Sequence, residues 1–333
     1  MVMLLGLLTW QFHLVAYGMM QARGQIKVVL EAQPIEDILA DPSFPDSLKS
    51  KLRIVPEIRR YCFDELGMVE AGNYQKVFDQ KGKVTLWNLS ASEPFQLTAK
   101  TWSFPFLGSF PYKGFFDLEE AKKERDMLKA EGFDTRIRPV SGWSTLGWFD
   151  DPILSNMLFR PVGQLAELII HELTHGTLYV KDSADYNENL ATFIGEKGAE
   201  KFLAGYFGES SPELREYIDG ETDTEKFINH FILGARSLDS LYNNMQSDIQ
   251  VEQKQKLKHD HIQLIVDRLD TVRFNIKDRY TGRFNEALPN NAFFMSFLRY
   301  HSMQDIFEEE LENGFGGEVR TYLNYLKEKY PSL

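Results

Sequence analysis

Apolar positions along this chain recur with a helical period, then with an alternating one, then with a helical period again. From Gly24 to about Gly67 the spacing is helical. Pro34-Ile35-Glu36-Asp37-Ile38-Leu39 predicts a short helix with proline near its start. Ser47 to Leu66 predicts a longer one, with Leu48, Leu52, Val55, Ile58 and Cys62 three or four residues apart, broken or kinked at Pro56. Between about Lys83 and Phe149 the pattern shortens. Val84 to Leu89, Phe95 to Thr98 and Tyr112 to Phe116 are strand-like runs rich in β-branched and aromatic residues. A charged helix follows from Asp117 to Ala130, stopped by Gly132, and Asp134 to Val140 alternates as a further strand. After Asp151 the helical period returns: an apolar run at Leu165 to Tyr179, amphipathic stretches at Thr224 to Asn244 and Val251 to Tyr280, and a helical C-terminal segment.

Helices, then a sheet, then helices predict an α+β protein, mostly helical, with a small mostly antiparallel sheet ahead of the apolar helix. The expected divisions are an apolar segment at 1–20, a helical region at 21–82, a sheet subdomain at 83–152, a helical pair at 153–205 and a C-terminal helical part at 206–333.

Met1 to Met20 contains no charged side chain, and twenty helical residues span about 30 Å, the thickness of a bilayer core. The expectation is an N-terminal membrane anchor, with a buried helix as the other reading. Gln11, His13 and Thr9 weaken the anchor, and no basic stretch or small-residue cleavage site of the secretory type accompanies it. The net charge of −12 sets the chain against phosphate backbones, so nucleic acid is not an expected partner. With one cysteine, Cys62, neither a disulfide framework nor a thiolate zinc cluster is possible. Any metal must therefore be held by imidazole and carboxylate.

The apolar run carries such groups. His171 and His175 in His171-Glu172-Leu173-Thr174-His175 lie one turn apart on one helix face and can grip one zinc ion. Glu172 is turned about 100° from His171, beside the metal rather than on it. There it can accept a proton from a water whose pKa zinc lowers to about 7. Spacing and residue types fit a zincin helix. A catalytic zinc needs a third protein ligand. The metzincin pattern is excluded because Leu178 and Lys181 stand where it requires glycine and histidine. Asn187-Glu188 opens the next helix, and if that helix packs antiparallel on the first, Glu188 in its first turn can face both imidazoles. Glu196 and Glu200 are competing carboxylates further along.

The residues from His171 to His175, continuing through Leu178-Tyr179-Val180-Lys181 to Asn187-Glu188 and Ala191-Thr192-Phe193, resemble the bacterial putative zinc aminopeptidase family. Asp64-Glu65-Leu66-Gly67, Pro111-Tyr112-Lys113-Gly114, Ser144 to Pro152 and Asn290-Asn291-Ala292 share the resemblance, which covers nearly the whole chain. It implies a membrane-associated metallopeptidase of the glutamate-zincin type with one zinc per chain. His171, His175 and Glu188 would be its ligands, Glu172 its general base, a peptide or protein its substrate, and its catalytic part would be periplasmic or otherwise extracytoplasmic. Two features depart from expectation. No cysteine near the N-terminus could carry a lipid, and the Gly-x-Met-Glu-Asn signature of well-known zinc aminopeptidases is absent.

For the oxyanion donor, Tyr300 and His301 are candidates, with Tyr179 one turn beyond His175 competing. Ser144 to Trp148 is the expected edge strand for an extended substrate. His259-Asp260-His261 and His230 read as surface residues, because i, i+2 spacing on a helix points rings to different faces. Two other functions stay open: a membrane-anchored binding or scaffold protein with a structural or vestigial zinc, and a zinc hydrolase acting on a non-peptide amide or ester.

Overall fold

The computed structural model describes residues 2–104, 108–140, 150–246, 248–276, 278–301 and 303–330, with backbone alone at 2–14 and Tyr300. The chain is mostly helical with small sheets, an α+β architecture. Its first helix, α1, runs Val2–Glu31 without a break. The expected anchor therefore falls mainly on side chains outside the described ones. Tyr17 and Met20, at its end, pack against the sheet, and Val28 enters the main core. Among the described residues, no helix is long and apolar enough to cross a membrane.

The helix expected from Ser47 to Leu66 is two: α3 at Asp46–Leu52 and α4 at Val55–Asp64, with Pro56 in the first turn of α4 where its missing N–H costs nothing. Ahead of them lie β1 at Gln33–Pro34 and α2 at Ile35–Ala40. β1 pairs antiparallel with β2, Lys76–Phe78, which in turn pairs in parallel with β8, Ile153–Leu154. A second sheet has the order β6-β3-β7, from Lys113–Phe115, Trp87–Ser92 and Asp134–Pro139, and both pairings are antiparallel. Helix α5, Leu118–Ala130, covers it, with Asp117 accepting hydrogen bonds from the backbone of Glu119 and Glu120. β4, Trp102–Phe104, and β5, Gly108–Phe110, form a separate two-stranded sheet.

The strand expected at Phe95 to Thr98 is a turn instead. Phe95 and Leu97 pack on the second core, and the buried Asn291 donates to the carbonyls of Glu93 and Pro94, so this stretch needs no strand partner. The first strand of the sheet is centred later than its apolar run, at Trp87–Ser92 rather than Val84 to Leu89.

Among the described residues, seven further α-helices follow: α6 Val162–Thr177, α7 Ala184–Phe207, α8 Pro212–Asn243, α9 Val251–Asp267, α10 Asn291–His301, α11 Gln304–Phe315 and α12 Val319–Lys329. α8 starts twelve residues before its amphipathic pattern, where Ser211 caps it and Pro212 opens it. α9 ends well short of Tyr280. Beyond it, the backbone N–H groups of Asn275 and Ile276 donate to the buried Asp223 carboxylate at 2.6 and 2.7 Å, which holds an irregular path instead of further helical turns.

The main core joins α3 and α4 to α6, α7, α11 and α12 through Leu52, Ile58, Ile169, Phe193, Phe307 and Tyr322. A second core, rich in phenylalanine, joins α8, α9 and α10 through Phe231, Ile265 and Phe294. The candidate site sits where α6 and α7 run beside each other.

Candidate metal centre

α6 forms because Leu165, Ala166, Ile169, Ile170 and Leu173 make one buried face; the buried hydroxyls of Thr174 and Thr177 are satisfied by the carbonyls four residues back, at 2.8 and 2.9 Å. It ends where Leu178 turns extended. Asp182 takes a left-handed conformation (φ 57°), and the chain reverses. One side chain locks that reversal. The amide of Asn187, 2% exposed, accepts from Val180 N–H at 2.8 Å and donates to Val180 C=O at 2.7 Å. Asn189, fully buried, donates to the carbonyl of Arg299 and accepts from Met303 N–H at 3.0 Å, tying α7 to the junction of α10 and α11.

α7 starts at Ala184, one turn earlier than the Asn-Glu pair implies, because the reversal is complete by Ser183. Glu188 accordingly stands in the second turn of α7 rather than the first. The two helices touch at Gly195, where a Cβ would lie 3.1 Å from the Glu167 carbonyl and 3.3 Å from His171 Cβ. At Gly198 it would lie 3.1 Å from Ile170. Only glycine allows this approach without movement.

The approach brings three donor atoms together. His171 Nε2 and His175 Nε2 are 3.2 Å apart, and Glu188 Oε2 lies 3.5 Å from the first and 3.7 Å from the second. Donors on a tetrahedral metal at about 2.0–2.1 Å are themselves about 3.3–3.4 Å apart, so this triangle has the size that a zinc ion requires. Burial pushes the Glu188 carboxyl upward, yet the hydrogen bonds and charges of the two histidines outweigh it and hold it well below the ordinary range. In His175 burial works against the charged form, but Glu188 and Glu172 overcome it and raise the imidazole. Glu172 sits on the same helix beside this triangle. Burial raises its carboxyl above the usual value, opposed by His171 and His175. Behind it stands Tyr74, fully buried, held at φ 63° and within electrostatic reach of Glu172.

Of the other expected site residues, Tyr300 has its side chain outside the described residues, as does all of Ser144 to Trp148. His301, next to Tyr300, lies near enough to His171 to feel its charge, and burial together with that charge lowers it to about 4. The end of α10 therefore borders the site. Tyr179 contacts the His175 ring edge-on, with centroids 6.2 Å apart. Glu200 is exposed, and Glu196 faces away from the histidines. One of its carboxylate oxygens lies within 4.8 Å of one from Glu167 and one from Glu221. Burial and the charge of Glu221 raise Glu196 to about 8. His230, expected at the surface, is half-buried and bonds the Ile265 carbonyl at 2.7 Å, while His261 meets Ser237 at the exterior.

Tyr112, marked in the sequence only as part of the Pro111-Tyr112-Lys113-Gly114 motif, also reaches the site. Its hydroxyl donates to Glu188 Oε1 at 3.5 Å, and it stands on the turn between β5 and β6, 76 residues away in the chain. Spacing carries no trace of such a contact.

A family model described as "Putative aminopeptidase" matches residues 16–328, and the chain belongs to that family. No curated protein and no solved structure matches it. Membership supports a peptidase-like function.

Proposed function

We propose that this member of the aminopeptidase family is a zinc-dependent peptidase of the glutamate-zincin type, with one zinc held by His171, His175 and Glu188. The observation that carries the reading is the convergence of two imidazole nitrogens and one carboxylate oxygen at 3.2–3.7 Å from a pair of antiparallel helices. Bound there, zinc would polarise a scissile carbonyl and acidify water to a pKa of about 7.

The remaining work falls to the chain. Glu172, one residue after the first ligand, takes the proton from the attacking water and returns it to the leaving amine. The raised carboxyl suits this shuttle, because a base is most effective when its pKa approaches the working pH. Tyr300 and His301, the candidates from the end of α10, would donate to the developing oxyanion. The substrate is a peptide or protein; "amino" specificity is the family's, and the Gly-x-Met-Glu-Asn signature does not reinforce it. The apolar start of the chain supports association of the enzyme with a membrane, and the resemblance puts its catalytic part on the extracytoplasmic side. Recovery of the full chain only in the soluble fraction would reject that part.

A peptide-library digest by the purified chain, with and without chelator and read by mass spectrometry, tests activity, metal dependence and cleavage position together. Glu172→Gln is expected to keep its zinc and lose at least about a hundredfold in turnover, the lower range for general acid–base catalysis. Glu188→Ala is expected to lose the metal. Wild-type turnover in the first variant, or stoichiometric zinc in the second, would remove the residue from its role.

A further inference from the structure

The zinc reading rests on one oxygen of Glu188, but a carboxylate rotates easily about its last bond and has no intrinsic preference for which oxygen it presents. Something must hold it. Oε2 faces the two histidines, while Oε1 lies on the other side, 3.5 Å from the Tyr112 hydroxyl. Resting on the zinc reading, we propose that Tyr112 is a positioning residue, whose hydroxyl fixes the Glu188 carboxylate so that its other oxygen meets the metal.

Tyr112 is itself firmly placed. Pro111, before it, is buried, and Lys113, after it, pairs with Glu124 at 2.5 Å. Its ring packs against Phe110 with centroids 6.1 Å apart. Phe110 meets Phe104 at 6.2 Å, and Phe104 stacks on Tyr17 of α1 at 5.6 Å. A row of four aromatic rings thus runs from α1, through both strands of the β4–β5 pair, to the metal's carboxylate. On the other side the Arg299 guanidinium lies 5.8 Å from the Tyr112 ring centre, and a cation over a phenol ring favours hydrogen-bond donation by the hydroxyl. The backbone carbonyl of Arg299 is bonded by Asn189, one residue after Glu188. The carboxylate and the phenol are therefore referenced to the same piece of α7.

This gives the turn between β5 and β6 a function. It delivers one donor to a site otherwise built from helices, and the donor acts on a ligand, not on substrate. Residues that orient metal ligands typically change metal affinity about 10- to 100-fold when lost.

Tyr112→Phe keeps the ring and removes only the hydroxyl. In the full-length protein its zinc dissociation constant, measured by competition with a chromogenic chelator, is expected to rise about 10- to 100-fold. The urea midpoint of the metal-free protein should stay unchanged. Cobalt in place of zinc should show shifted visible bands, because the carboxylate is no longer held in one orientation. Tyr112→Leu, which also removes the ring, should show the same loss and a lower urea midpoint. A Tyr112→Phe variant with zinc affinity within twofold of wild type and an unchanged cobalt spectrum would reduce Tyr112 to packing, leaving the zinc site standing. Wild-type protein that binds neither metal stoichiometrically would overturn the site and this role with it.

Discussion

Adding one methyl group at Gly195 tests whether the contact between α6 and α7 sets the spacing of the donor triangle. In a helix interior, glycine to alanine ordinarily stabilises by about 0.5–1 kcal/mol, because the unfolded chain loses conformational freedom. At Gly195 that gain meets an obstacle. The new Cβ would sit 3.1 Å from a backbone carbonyl oxygen and 3.3 Å from His171 Cβ, inside the 3.5–4.0 Å of comfortable contact. Neither neighbour is the free end of a flexible side chain, so the helices must part by a few tenths of an ångström. Overpacking of this kind costs about 1–3 kcal/mol. The net expectation for Gly195→Ala is a loss of up to about 2.5 kcal/mol. Gly205→Ala is the control. It lies on the same helix with no atom within 4 Å of its added Cβ, so it should show the propensity gain alone. Metal sites tolerate about 0.2 Å of ligand displacement, so parting the helices also pulls His171 from Glu188, and zinc affinity should fall about tenfold. Urea denaturation of the metal-free proteins and chelator competition read the two effects separately. If Gly195→Ala were as stable as Gly205→Ala and bound zinc like wild type, the helix contact would not be what sets the site.

Two further perturbations probe the surroundings. Glu196 is raised from 4.5 to about 8 by burial and by the charge of Glu221, so between those values the folded chain keeps a proton that the unfolded chain gives up. Its contribution to stability is complete below about pH 4.5 and is lost as pH rises through 8, at about 1.4 kcal/mol per pH unit. Glu196→Gln removes this slope, so its urea midpoint should overtake that of wild type as pH rises from 5 to 8.5; parallel curves would mean that Glu196 does not hold its proton. Asn187→Ala deletes both bonds to Val180 and leaves the reversal between the ligand helices without its lock, a cost of about 2–3 kcal/mol in urea denaturation. Because Glu188 is the next residue, zinc affinity should fall as well. A variant with wild-type stability would show that the turn closes without it.

What the sequence revealed, and what it concealed, divide along one physical line. His171, Glu172 and His175 were legible because a single helix fixes their relation: the period of 3.6 residues alone puts two imidazoles on one face and the acid beside them. Glu188 needed one assumption more, that the following helix folds back, and the short polar stretch after Tyr179 made that reading available. The lock, Asn187, stands in the sequence as half of an Asn-Glu pair, but its bonds to Val180 depend on a turn whose path no periodicity encodes. The errors lie elsewhere, and they share a cause. Phe95 to Thr98 has the residues of a strand, but Asn291 satisfies the neighbouring carbonyls from nearly two hundred residues away, and the chain is free to turn. The stretch after α9 has the residues of a helix, but Asp223 accepts its N–H groups from α8 and the helix stops. Asp223, Gly220 and Thr224 in turn hid the first third of α8, because their distant partners at Asn275, Ile276 and Arg279 put polar and small residues where a simple amphipathic helix would carry none.

Backbone that satisfies itself, in a helix or a strand ladder, leaves a local signature. Backbone satisfied by a remote side chain leaves none, because either end looks like an ordinary polar residue. Tyr112 belongs to this second class. A tyrosine in a strand-like run has every reason to be there for packing, and only the closed fold brings its hydroxyl to Glu188. On the proposed reading, the residues that would hold the ion can be read from one helix and its neighbour, whereas a residue that would orient them comes from wherever the fold reaches. In this chain that place is the turn that joins β5 to β6.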